Sequence, residues 1–203
     1  MTKAREELEQ RINLLLANVK LTEKVSALEK KDLATQEAYR LAQLWGQRNY
    51  PCLIQYAQEV LERDVHNFFA HYYRGLAFRR RQKYDEAIQD FTAAIDLRPY
   101  GDFYLQRGIA WAHKQEWVKA IQDYQTVQQL APHYADAYLW EGRAWQEMGN
   151  LEKAIQNYDQ ALHYKPGYWV AYRDRGVAWQ KKGNKKQAQE DLAKARKLKP
   201  KEK

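Results

Sequence analysis

The sequence predicts an all-α solenoid, an array of antiparallel helix pairs stacked one on the next. Three observations predict it. Gly75 returns as Gly108, Gly142 and Gly176, at steps of 33, 34 and 34 residues. Ala87 and Pro99 return with the same steps, as Ala120, Ala154 and Ala188 and as Pro132, Pro166 and Pro200. Within one period the apolar spacing traces two helical stripes. Self-similarity at a period of this size marks units that cannot bury an apolar face alone and stack to do so.

Residues 1–31 precede the clear periodicity. They lack Gly and Pro and are rich in Glu, Lys, Leu and Ala, which favours one helix. Leu8, Ile12, Leu15 and Val19 form one stripe, and Leu21, Val25 and Leu28 form a second that is out of phase with it. That falls short of the three or four unbroken heptads of a coiled coil. The readings are a cap on the array, a partner-binding or dimerising helix through which the chain forms a homo-oligomer, and a helix lying on a membrane.

Residues 32–67 read as a degenerate first repeat. The Gly, Ala and Pro markers are missing, but the apolar phase survives in Leu41, Leu44, Trp45, Leu53, Ile54, Ala57, Val60 and Leu61. Pro51 stands at the start of the second helix, where a missing N–H costs nothing. Residues 68–100 form the first clear repeat. His71, Gly75 and Phe78 make one stripe, and Ala87, Phe91, Ala94 and Leu97 make another. Gly75 and Ala87 lack bulk, so the paired helices can approach closely, with Phe78 and Phe91 filling the flanks. The turn Gln82-Lys83-Tyr84 becomes Gly149-Asn150-Leu151 and Gly183-Asn184-Lys185, and Gly-Asn tolerates left-handed backbone. Pro99 lies past the second helix and stops it.

Residues 101–134 and 135–168 repeat the pattern, and 169–203 end it. Ile88, Ile121 and Ile155 are matched there by Gln189, and Ile95 and Leu162 by Arg196, while Leu192, Ala195 and Leu198 stay apolar. A polar outer face on the last helix is what a terminal repeat needs, so this unit is expected to cap itself and complete the array.

Charge is uneven. Residues 181–203 hold ten Lys or Arg against three Asp or Glu, a balance of +7 in a chain of net charge +8. Lys181, Lys182, Lys185, Lys186, Arg196 and Lys197 make up a basic tip. It reads either as a surface for nucleic acid, an anionic membrane or an acidic partner, or as solvation of a helix whose C-terminal dipole favours cations. No nucleic-acid motif accompanies it. Arg79-Arg80-Arg81, at the end of a first helix, admits the same two readings.

Nothing assembles into a catalytic or metal site. The five His, at 66, 71, 113, 133 and 163, do not pair at helical ligand spacing, and no HExxH, CxxC or GxSxG sequence occurs. The glycines are spread along the helix pairs rather than gathered in a phosphate loop. The chain is expected to be non-enzymatic and to need no metal or cofactor. The single Cys52 excludes an internal disulfide and is expected to be a packed small residue. No apolar run is long enough for a membrane helix or a signal peptide, and a cytoplasmic location is expected.

The markers resemble those of the tetratricopeptide repeat family, a 34-residue helix–turn–helix. The matching residues are Tyr104, Gly108, Trp111, Ala120, Tyr124 and Pro132 in one copy. They are Tyr138, Gly142, Trp145, Ala154, Tyr158 and Pro166 in the next. The last copy offers Tyr172, Gly176, Trp179, Ala188, Leu192, Ala195 and Pro200, and the first departs by placing His71 at the aromatic position. The resemblance covers residues 68–200. It implies a right-handed superhelix whose first helices line a concave groove holding a peptide or helix of a partner protein.

With Tyr138-Gly142-Trp145 taken as the core stripe, the stripe one residue later is expected to face the groove. The groove residues are then Tyr72, Tyr73, Leu76, Leu105, Ile109, Leu139 and Trp140, with Arg143 and Arg173 toward the C-terminal side. Contiguous apolar exposure with aromatics and Arg fits an amphipathic segment carrying apolar anchors and an acidic group for the arginines. Chaperone-binding members of the family hold a C-terminal carboxylate with Lys, Asn and Arg. Here Tyr72, Leu76, Asp136 and Trp140 stand at such positions, with only Gln106 near in kind, so no affinity for acidic chaperone tails is expected.

Overall fold

The computed structural model describes Lys24 and residues 31–200, and the described residues form ten helices and no strand. Helix α1 occupies residues 31–46. It is followed by α2 (Tyr50–Arg63), α3 (Phe68–Arg80), α4 (Tyr84–Leu97), α5 (Gly101–His113) and α6 (Trp117–Leu130). Then come α7 (Ala135–Glu147), α8 (Leu151–Tyr164), α9 (Trp169–Lys181) and α10 (Lys185–Leu198). The cap, dimerising and membrane readings of the N-terminal segment lie outside the described residues.

Each pair turns through one residue in left-handed backbone. Arg48, Gln82 and Gln115 have φ of 56°, 61° and 61°, and Gly149 and Gly183 at the equivalent positions have 82° and 86°. The next residue's N–H reaches back over the turn to the first helix, as from Lys83 to the Phe78 carbonyl and from Asn150 to the Trp145 carbonyl, both at 2.9 Å. This satisfies carbonyls that the helix end leaves free. Asn150 then caps α8 by accepting from the Lys153 N–H at 3.0 Å.

The repeated glycines set the helix spacing within a pair. A Cβ built on Gly75, Gly108 or Gly142 would lie 2.8, 2.6 or 2.6 Å from a ring carbon of Phe91, Tyr124 or Tyr158. All three rings are fully buried. In the last pair the neighbour of Gly176 is the Leu192 side chain, at 3.0 Å.

A buried ion pair repeats beside these contacts. Arg74 donates to both oxygens of Asp90 (2.9 and 2.7 Å), Arg107 to those of Asp123 (3.0 and 2.8 Å) and Arg175 to those of Asp191 (both 2.7 Å). The remaining guanidinium nitrogen reaches the preceding repeat, at Gln58, Thr92 and Asp159 respectively. The third repeat has Glu141 and Asn157 at these two positions instead. Glu141 is buried and accepts from Gln125 (3.2 Å), Gln128 (2.6 Å) and Trp145 Nε1 (3.0 Å). The Arg-to-Glu change therefore comes with amide donors from the preceding helix, which leave no buried charge unsolvated.

Two packing expectations fail. Cys52 is exposed rather than packed. It lies in the first turn of α2, and the buried stripe there runs through Leu53, Ala57, Val60 and Leu61. Leu198 is 36% exposed, because it ends α10 and no following first helix covers it among the described residues. Gln189 and Arg196 are exposed, as the polar outer face of α10 requires.

Candidate functional site

The direction of curvature follows from which helices touch. The first helices contact one another in sequence, α3 with α5, α5 with α7 and α7 with α9. Among the described residues the second helices α4, α6, α8 and α10 make no such contacts with each other. The first helices therefore line the concave side.

The expected groove residues divide there. Leu76, Leu105, Ile109 and Leu139 are only 4%, 3%, 4% and 2% exposed, so they are not surface, and the sequence expectation of an exposed apolar stripe is corrected at these four. A first helix inside the array is flanked on both sides, so the stripe beside Gly142 is buried as well as the stripe through it. Tyr72 is half-buried, with its ring 4.8 Å from that of Phe103 and 5.2 Å from that of Tyr73. Its hydroxyl donates to Asp102, and burial followed by that carboxylate pushes its pKa well above the usual phenol range. Tyr73 is half-buried beside it.

Trp140, Arg143 and Arg173 do reach a common space. A cavity of about 310 Å³ opens between α5, α7 and α9. Ile109, Ala112, Trp117 and Trp140 give it apolar walls, and His113, Glu147, Arg143 and Arg173 rim it. The Arg143 guanidinium lies 4.5 Å over the Trp140 ring, a cation–π contact that fixes both side chains. The two arginines share one carboxylate. Arg143 donates to Asp174 at 2.7 Å and Arg173 donates to its other oxygen at 2.8 Å. Their combined charge is thus partly neutralised within the fold.

Toward the N-terminal side, α3 and α5 hold a polar cluster that the sequence reading passed over as part of an arginine run. Arg79 is half-buried, and burial pulls its pKa down. Asp102 accepts from Tyr72 and, at 3.3 Å, from Gln106. Burial, with Arg79 nearby, holds His113 below the ordinary histidine value. The signal available in the sequence was position: at the 33-residue step Arg79 aligns with Ala112, the neighbour of His113 on the next first helix.

The basic tip is exposed at Lys181, Lys182, Lys185, Lys186, Arg196 and Lys197. Lys182 pairs with Glu152 at 2.8 Å across the repeat boundary. No helix among the described residues is long and apolar enough to cross a membrane, and no group of three or more potential metal ligands gathers among them.

Helix pairs with Gly-to-ring contacts and a concave face of first helices define a repeat scaffold. The sequence matches the tetratricopeptide repeat family over residues 44–102, 74–135, 114–168 and 139–203, and the chain belongs to that family. Its members are generally non-enzymatic scaffolds for protein–protein interaction. Among solved structures, one of MamA is 26% identical, with a TM-score of 0.70, over 77% of this chain and 92% of that one. MamA from Desulfovibrio magneticus RS-1 is 21% identical, with a TM-score of 0.73, over 81% and 94%. YrrB, described as a TPR protein with an unusual peptide-binding site, is 22% identical, with a TM-score of 0.66, over 81% and 86%. A sequence search of curated proteins gives no match.

Proposed function

We propose that the chain is a non-enzymatic scaffold that binds a peptide or helical segment of a partner protein on its concave side, with an apolar side chain of that segment seated in the cavity between α5, α7 and α9. The observation that carries this reading is that cavity. Its apolar walls and ring of polar groups are the composition of a binding hot spot. Trp140 and Arg143 are already fixed against each other, so little side-chain freedom is lost on binding. YrrB is a protein of the same fold with a peptide-binding site, a likeness that speaks to the fold alone.

The test is a random 16-residue displayed peptide library selected on the intact chain, with recovered peptides measured against Trp140→Ala. Affinity lower by roughly 30-fold or more, the worth of a hot-spot side chain, supports the reading. Unchanged affinity for every recovered peptide overturns it. Where Trp140→Ala melts, Trp140→Phe, which keeps a ring against α5, serves instead. The reading through the basic tip, with nucleic acid or an anionic membrane as ligand, makes a different demand. It requires binding that fades steeply between low and moderate salt and is lost when Lys185, Lys186 and Lys197 are changed to Gln.

A further inference from the structure

A second cavity, of about 290 Å³, opens at the C-terminal end of the array between α9 and α10. Trp169, Arg173, Leu192, Ala195, Arg196 and Lys199 line it. Arg173 alone is common to it and the cavity around Trp140. The repeat shows what belongs in such a space. One period earlier the same six positions carry Ala135, Leu139, Tyr158, Ala161, Leu162 and Lys165. Leu139, Tyr158, Ala161 and Leu162 are buried in one cluster there, and Tyr168 of the next repeat packs against it. The Lys165 ammonium lies 4.1 Å from the centroid of the Tyr168 ring. Two further periods back, Phe68 holds the position of Trp169. Tyr100, the counterpart of Tyr168, meets the Phe68 ring edge-on at 5.9 Å. Arg98 lies 6.0 Å from that ring, as Lys199 lies 6.0 Å from Trp169. In both places the tyrosine is the N-cap of the next first helix, laid across the end of the preceding pair beside a cation.

The cleft between α9 and α10 keeps this plan and changes its rim. One period past Tyr168 stands Glu202, a residue with no ring to place there. Trp169 and Leu192 are left half-buried. Leu139 and Leu162 give way to Arg173 and Arg196, both exposed, so the rim is cationic where the internal one is apolar. Arg173 is already engaged by Asp174, which leaves Arg196 to meet an incoming acid. Asp136, which accepts from the Tyr168 hydroxyl at 2.5 Å, gives way to Val170, so a ring seated here needs no hydroxyl.

We propose that this end cleft docks an aromatic side chain of a partner protein, carried at the start of a helix and accompanied by an Asp or Glu that meets Arg196. The partner helix then stacks on α9 and α10 as a further first helix would. Burial of the ring against Trp169 and Leu192 supplies the attraction, and the acid offsets a rim that would otherwise repel a second cation. A nucleobase is the other flat group that a tryptophan among cations attracts. The earlier clefts favour the side chain: Tyr100 meets Phe68 with 69° between the ring planes, an approach that base stacking does not use. The cleft is separate from the concave groove, and either reading can fail without the other.

The test uses a displayed 12-residue library with one fixed central Tyr, selected on the intact chain. Recovered peptides are expected to carry Asp or Glu beside the ring and to shift the Trp169 indole N–H in an NMR titration. Trp169→Ala should weaken them by roughly 30-fold or more, the worth of a hot-spot side chain. That variant should fold, because Ala135 holds the same position one repeat earlier. Arg196→Glu, on exposed surface of α10, should weaken them by about 10-fold or more, the worth of a charge-assisted hydrogen bond. Changing the peptide's acid to its amide should remove most of that difference, and changing its Tyr to Phe should cost little. Where Trp169→Ala melts lower than the parent, Arg196→Glu carries the test alone. Peptides that lose affinity with Trp140→Ala but with neither of these variants sit in the groove; they overturn this inference and leave the groove reading standing. A selection that recovers no peptide acting at Trp169 overturns it as well. An oligouridylate that shifts Trp169 and loses that effect with Arg196→Glu, where no peptide acts there, assigns the cleft to nucleic acid and overturns the protein partner.

Discussion

Adding a single methyl group to Gly142 is the sharpest perturbation of the repeat contact. In a solvated helix, Gly→Ala stabilises by about 1 kcal/mol. Here the added Cβ would sit 2.6 and 2.8 Å from two carbons of the Tyr158 ring and 3.2 Å from the Ala154 carbonyl oxygen. Carbon pairs rest at about 3.5–4.0 Å. The ring is fully buried and cannot swing into solvent, and the carbonyl belongs to the α8 backbone. Overpacking costs roughly 1–3 kcal/mol, and a rigid ring beside a backbone atom places this site in the upper half. Net of helix propensity, Gly142→Ala should lose about 1–2 kcal/mol. For a chain of this length that lowers the melting temperature by about 2–8 °C. Gly176→Ala is the control, because the atoms it meets include the flexible, half-buried Leu192 side chain at 3.0 and 3.2 Å. It should stay within about 1 kcal/mol of the parent, where the gain in helix propensity meets a yielding neighbour. Calorimetric scans of the two variants at one protein concentration decide the matter. If Gly142→Ala melts at or above the parent, or together with Gly176→Ala, the account of the contact is wrong.

Other consequences are open to the same kind of measurement. Gly142→Leu should destabilise far more than Gly149→Ala, which meets open space but puts Ala at φ 82° and so costs about 1 kcal/mol. Gln82→Gly and Gln115→Gly should each raise stability in a denaturant melt, by up to about 1 kcal/mol, by relieving positive φ at a non-glycine residue. Arg107→Met leaves Asp123 buried without its partner and should cost about 3 kcal/mol, most of which Arg107→Met with Asp123→Leu should restore. His113 should titrate below the ordinary histidine value, because burial and then Arg79 disfavour its proton. The unfolded chain therefore binds that proton first, so the His113 contribution to stability is fully present above the ordinary value and is lost as pH falls from there through the lower folded value. Arg79→Gln should bring the His113 midpoint part of the way back up, as read by proton NMR of the imidazole.

The fold was legible because its controlling contacts lie at fixed spacing. Gly142 and Tyr158 repeat with the period, and one sequence shows the contact several times. The site was less legible. The sequence could not say that Leu139 is as buried as Ala154, because a first helix inside an array is covered on both flanks and one amphipathic stripe does not describe it. Left-handed backbone at Gln82 and Gln115 is hidden as well, since Gln has no preference for it, and only alignment with Gly149 points there. The exchange of Arg107 and Asp123 for Glu141 and Asn157 could have been read by aligning the copies. That Arg79 Nε lacks a hydrogen-bond partner among the described residues could not. It depends on which carboxylates point elsewhere, and that is a property of packing rather than of sequence.

The central claim is that a protein segment occupies the concave side around Trp140. The most direct measurement is an NMR shift map of the intact chain with one selected peptide. The claim predicts shifts at the Trp140 indole N–H, the Ile109 methyls and Ala112, with Val118 and Leu130, exposed on second helix α6, unmoved. Shifts confined to Val118, Leu130 or the α10 lysines, with Trp140 and Ala112 silent, would contradict it.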